Sequence, residues 1–242
     1  MIRKIGDEQK TGNQHIKILY PGVAVEHAKN TGLGSIGRID HARIEGGITI
    51  KMHPHINDDI LSYFRTGYAQ HIDSEGFTAD VSRHKLMLMK AGKIFYHEEH
   101  MPERLEGLQL FIRPKTKDLD PEVVFHDLND TDSVDSWRLL ASPTTQTPLQ
   151  FSSQTWIYDT TLSSGTTIGL PDLEKGNLTG LLYTFQGHVE INNNTTLHKG
   201  ESIIFNGEPI SISAVETSEL VLFFTDETSE YYDGGMFSGN KY

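Results

Sequence analysis

Tyr63-Phe64-Arg65-Thr66-Gly67 returns half a chain later as Tyr183-Thr184-Phe185-Gln186-Gly187. In both places an apolar run ends on a glycine, which turns a corner that other residues resist. A second run and a polar turn follow each time. Duplication of a strand, a glycine corner and a return strand implies two similar β-barrels in one chain. Outward from the repeat, short runs rich in β-branched and aromatic residues recur at 48–52, 60–64, 86–89, 94–96 and 108–112. They resume at 154–158, 181–185, 188–191, 202–205, 210–214 and 220–224. Gly, Asp, Ser or Asn clusters separate them, and Asn192-Asn193-Asn194 reads as a turn because Asn tolerates positive φ. The expected class is all-β: an N-terminal barrel at 1–117, an acidic solvated connector at 118–140 and a C-terminal barrel at 141–242.

The first half carries the chemistry. His53-Pro54-His55 and His97-Glu98-Glu99 each place two metal-binding side chains on alternate residues. Residues i and i+2 of a strand share a face, so two such strands facing each other can present His53, His55, His97 and Glu99 to one point. Three imidazoles and a carboxylate suit a divalent first-row metal and leave positions free for small molecules. Ile48, Ile50 and Met52 have the opposite parity to the two histidines, which predicts a bulge or a barrel mouth near Pro54. Phe95 shares the ligand parity, and ordinary barrel packing explains it. The remaining histidines, His15, His27, His41, His126 and His198 among them, are expected to be solvated or locally hydrogen-bonded.

The run from Gly47 through His53-Pro54-His55 and Asp59 to Gly67 resembles the first cupin motif. Ala91-Gly92, the His97-Glu98-Glu99 block, Met101-Pro102 and Gly107-Leu108-Gln109-Leu110-Phe111 make the chain similar to the pirin family. The resemblance implies a bicupin whose N-terminal barrel holds a metal, most often Fe(II), through His53, His55, His97 and Glu99. It also implies quercetinase-like chemistry, in which O2 cleaves a flavonol and Glu99 could accept the flavonol proton. A regulatory protein that binds a protein partner through a redox-sensing or structural metal, or a metal-free bicupin, is the alternative implied. The chain departs from the family at several points. Arg83-His84-Lys85 stands where pirins carry Pro-Gly-Asp, Asp59 replaces a glutamate, and His100 adds a potential ligand. The length is closer to compact bacterial pirin-like proteins of the YhaK type. Asp59 is expected to orient a ligand histidine. Aligned through the repeat, His53, His55 and Asp59 fall on Leu173, Lys175 and Thr179, so the second barrel is expected to lack the ligands.

Composition bounds the rest. The 242 residues carry a formal net charge of −12 and no cysteine. A metal must therefore rest on nitrogen and oxygen, and without a basic cluster direct nucleic-acid binding is not expected. No apolar run approaches the length of a membrane span, and Met1 to Glu8 has no signal-peptide core, so the expected location is cytoplasmic. Gly32-Leu33-Gly34-Ser35-Ile36-Gly37 satisfies the GxGxxG spacing of dinucleotide-binding loops. That motif works only between a strand and a helix, and β-like sequence follows it here. It is expected to be a turn.

Overall fold

The computed structural model describes residues 2–25, 29–173 and 176–241. They form two compact units, one built on Lys10–Thr131 with Phe151–Ser153 and Ser229–Tyr242, the other on Met1–Gln9, Asp132–Gln150 and Gln154–Thr228. Both are all-β. The partition differs from the expected division at the two ends: residues 2–9 join the second unit and residues 229–241 the first.

The repeat is visible strand by strand. In the first unit Ile36–Ile44, Leu105–Ile112, Asp59–Thr66 and Lys85–Lys90 lie side by side. In the second, Thr155–Leu162, Ser218–Thr225, Thr179–Gln186 and Ser202–Asn206 stand in the same order. Even the irregularities match. Arg65 is an extra residue opposite Glu106 and Gly107, and Phe185 is an extra residue opposite Glu219 and Leu220. The corners that follow use positive φ, 69° at Gly67 and 92° at Gly187. A Cβ on Gly67 would lie 2.2 Å from the Arg104 carbonyl oxygen, so only glycine fits.

The remaining strands of the first unit place Ile48–His55 against Phe95–Met101, which also pairs Tyr68–Asp73. The predicted irregularity is there, slightly earlier than Pro54. His97 pairs His53, but Glu99 pairs Ile50, so Lys51 and Met52 together oppose Glu98 alone. The bulge resolves the parity conflict, because one extra residue lets Ile50 and His53 turn the same way. Ile50 packs on a buried cluster of Ala42, Phe64, Met87 and Leu105. Phe95 is fully buried with Ile60, Met89 and Phe111.

The acidic stretch after Asp118 is not simply a solvated connector. Glu122–Asp127 is a strand paired with Lys85–Lys90. Its apolar Val123 and Phe125 pack on the core, while Glu122 and Asp127 meet Lys90 at 2.8 Å and Lys85 at 3.2 Å. Flanking acids hid a short strand.

GxGxxG also has a structural explanation. Strand Ile36–Ile44 follows it, with no helix. Gly34 has φ 54° and offers its carbonyl to the buried Arg113. A Cβ on Gly32 would lie 2.6 Å from the Arg113 guanidinium, and one on Gly37 would lie 2.3 Å from the Ser238 carbonyl oxygen. Close packing, not a phosphate, requires these glycines.

Among the described residues of the second unit, the strand positions that match Glu99 and His71 are apolar. Ile212 faces Ile191, as Glu99 faces His71 in the first. Both isoleucines belong to the buried cluster against which Leu173, expected opposite His53, also packs. Lys175, the expected counterpart of His55, lies outside the described residues, as does His27. No helix among the described residues is long and apolar enough to cross a membrane.

Candidate metal centre

His53 and His55 leave one strand, and His97 leaves its partner directly opposite His53. Their Nε2 atoms form a small triangle: 3.1 Å from His55 to His53, 3.0 Å from His55 to His97 and 3.1 Å from His97 to His53. His55 and His97 are buried, and His53 is half-buried.

Hydrogen bonding on the far side of each ring decides which nitrogen carries the proton. His53 Nδ1 lies 2.9 Å from the carbonyl oxygen of Lys51, within the bulge. A carbonyl only accepts, so Nδ1 bears the hydrogen and Nε2 is a bare lone pair. For His97 the same logic runs through a second imidazole. Asp73 takes the Glu75 and Phe77 backbone N–H groups on Oδ1, at 2.9 and 3.0 Å, and meets His71 Nε2 at 2.7 Å through Oδ2. His71 must donate there, which leaves its Nδ1 as an acceptor. His97 Nδ1, 3.3 Å away, donates to it, and His97 Nε2 is also bare.

Two lone pairs 3.1 Å apart repel unless a cation lies between them. A proton fits poorly. Burial, followed by the neighbouring imidazoles His55, His53 and His71, pulls His97 down to about 2. Burial likewise lowers His53, against the opposing pull of the Lys51 carbonyl. A divalent metal fits well. Ligands about 2.1 Å from a metal and at right angles to one another stand about 3.0 Å apart, whereas tetrahedral ligands stand about 3.4 Å apart. His53, His55 and His97 are thus spaced so that their three Nε2 atoms would hold one such ion together.

Glu99 is not part of this cluster. Its side chain is buried on the same strand face, but both carboxylate oxygens accept from Gln109 Nε2, at 3.1 and 3.0 Å. Burial pushes it up to about 7, with Gln109 opposing. Among the described residues the groups that come together are therefore His53, His55 and His97. His100 meets Thr49 Oγ1 at 2.8 Å instead.

Two expectations change. The carboxylate facing a ligand histidine is Asp58, whose Oδ2 lies 3.8 Å from His55 Nδ1. Asp59 points elsewhere, next to Lys90, with Oδ2 buried and unpartnered. His41 is buried and bonded to Glu106 on the neighbouring strand at 3.0 Å, so its partner is distant in sequence. His71 and Asp73 went unnoticed, although His71-Ile72-Asp73 repeats the alternate-residue pattern that revealed the two ligand pairs.

Asp59 supports a stability prediction. Burial, the largest influence, raises it from 3.8 to about 7; Lys90 opposes this and Asp58 and Glu122 add to it. Below pH ~3.8 the group is protonated in both states and costs nothing. As pH rises to about 7 the unfolded chain ionises first, and stability falls by about 1.4 kcal/mol per unit. Asp59→Asn should therefore stabilise the protein above pH 7 by up to about 4 kcal/mol and have little effect near pH 4. Urea unfolding at both pH values measures it; equal effects at the two would refute the assignment.

Comparison with known proteins shows the family and the fold. A family model described as Pirin matches residues 6–112. A Zymomonas mobilis protein, named provisionally as a quercetin 2,3-dioxygenase, is 30% identical over 179 residues, covering 72% of this chain and 75% of its own. The crystal structure of YhhW from Escherichia coli superposes with a TM-score of 0.79 at 22% identity, over 96% of this chain and all of that one. The structure of bacterial pirin YhhW from Escherichia coli in complex with nickel(II) gives 0.76 at 21%, over 93% and 99%. The likeness in fold spans both barrels, the two cupin units anticipated from the repeat. Paired barrels, the histidine cluster in the first of them and a relative this similar over most of its length place the chain in the pirin family.

Proposed function

We propose that this pirin is a metal-dependent dioxygenase of the quercetinase type, acting on a flavonol-like aromatic substrate. The observation that carries the reading is the triangle of Nε2 atoms, two of them forced to be bare by their Nδ1 partners. In this proposal His53, His55 and His97 would hold Fe(II), with Glu99 beside them on the same strand face. The name of the Zymomonas relative supports the substrate class, and the nickel(II) in YhhW supports a divalent metal. Fe(II) bound by nitrogen ligands supplies a centre that takes O2 and a chelating substrate together.

The chain's own residues do the rest. Lys51 and His71 hold their imidazoles in the ligating tautomer, so no proton need leave Nε2 when the metal enters. Phe111 and Phe237 pack beside His55, at centroid separations of 6.2 and 5.1 Å, and cover that side of the cluster. Glu99, held near 7 by burial, is poised at neutral pH to accept the flavonol hydroxyl proton. Gln109 Nε2 supplies the hydrogen bonds that orient its carboxylate.

Oxygen uptake with quercetin by Fe(II)-loaded protein tests the proposal. The expected result is turnover that His55→Ala lowers at least about a hundredfold, against a metal content that falls in parallel. Absence of quercetin-dependent uptake, or uptake unchanged by His55→Ala, would remove the dioxygenase assignment.

A further inference from the structure

The segment Asp233-Gly234-Gly235-Met236-Phe237-Ser238-Gly239-Asn240 belongs to the metal-bearing unit. It is built in, not draped over. The side chains of Asp58 and Ser238 are fully buried. The Asp58 carboxylate takes Phe237 N at 3.0 Å on Oδ2 and 3.2 Å on Oδ1, and Ser238 N at 2.8 Å and Ser238 Oγ at 2.7 Å on Oδ1. Met236 N donates to the Ile56 carbonyl at 2.8 Å, and Arg113 Nε to the Ser238 carbonyl at 2.8 Å. At Gly235 a Cβ would stand 2.3 Å from Ser238 Oγ and 2.5 Å from the Asn57 carbonyl oxygen. The fastening sets the Phe237 ring 5.1 Å from the His55 ring and 5.7 Å from Phe111.

His55 stands apart among the three histidines. Its Nδ1 is buried and has no hydrogen-bond partner, whereas Lys51 and His71 hold the other two rings. What lies around it is Asp58 Oδ2 at 3.8 Å, with that carboxylate engaged by the tail, and the Phe237 ring. Packing must do for His55 what hydrogen bonds do for His53 and His97.

We propose that the C-terminal segment is a clasp for the metal centre: Asp58 grips Phe237 and Ser238, and Phe237 holds the His55 ring in its ligating pose. Asp58, Phe237 and Ser238 are positioning residues. None touches the metal, and metal retention depends on all three. The inference rests on the reading of His53, His55 and His97 as ligands.

The test uses Ni(II) alone and the full chain. Affinity is measured by calorimetry and release by transfer to a colorimetric chelator. Phe237→Ala and Asp58→Asn should each release Ni(II) about tenfold faster than the parent, the size typical of residues that orient a ligand. Phe237→Tyr, which keeps the ring, should restore slow release, and Met236→Ala, at an exposed side chain, should match the parent. The d–d absorption of Co(II)-loaded Phe237→Ala should shift, because a displaced imidazole changes the ligand field. If Asp58→Asn fails to fold, the half-exposed Phe237 decides alone. Parent-like release and an unshifted spectrum in Phe237→Ala would overturn the clasp while leaving the metal reading intact. A parent chain that takes up no Ni(II) would overturn both.

Discussion

His97→Ala should weaken divalent-metal binding roughly a thousandfold or more, since it removes one of three nitrogen donors and opens the triangle. The Nε2 atoms of His97 and His53 are both bare and 3.1 Å apart, so the ion relieves their repulsion as well as binding them. In the parent, Ni(II) at a hundred times its Kd should stabilise the fold by about 2.7 kcal/mol. In His97→Ala that gain should vanish at the same concentration. Calorimetry and metal-dependent thermal shifts measure both. The pH dependence follows from the ring environments. Protons compete for Nε2 only below each imidazole's own pKa, and burial holds His97 near 2 and His53 below 6.5. Binding should weaken as pH falls, but at a lower pH than for solvated histidines. Parent-like affinity in His97→Ala would refute the centre.

Arg113→Met should cost about 3–5 kcal/mol of stability, because the guanidinium is fully buried and is the donor for three acceptors. It meets the Ser238 carbonyl at 2.8 Å, the Gly34 carbonyl at 3.0 Å and Asn30 Oδ1 at 2.7 Å. Its face lies 5.3 Å from the Tyr231 ring. Methionine fills similar space but leaves those oxygens without this donor, at about 1–3 kcal/mol each before relaxation. Arg113→Lys should recover only part of the loss, since one ammonium cannot reproduce a planar fork. Urea titrations of the three proteins test this; an Arg113→Met midpoint equal to the parent's would show the network to be dispensable.

Local pattern revealed what local chemistry controls. The glycine corners at Gly67 and Gly187 and the eleven runs around them were legible because strand period and positive φ are properties of a few adjacent residues. So were the alternating histidine pairs, down to the bulge that their parity required. Glu122–Asp127 was hidden because its apolar residues are few and acids flank them. Those acids are satisfied by Lys85 and Lys90, which only the sheet brings near.

The sequence by itself determined the fold class, the duplication and the half of the chain that carries the histidines. Tertiary structure decided the rest, because each remaining point depends on atoms far apart in the chain. Glu99 turns to Gln109 on another strand, and Asp58, just before the strand that starts at Asp59, is the carboxylate that faces His55. The tautomer of His97 is set by His71, 26 positions away. The surroundings of His55 are completed by a residue near the C-terminus, 182 positions further on, by its sequence numbers. Such contacts leave no periodicity to read; folding brings them together.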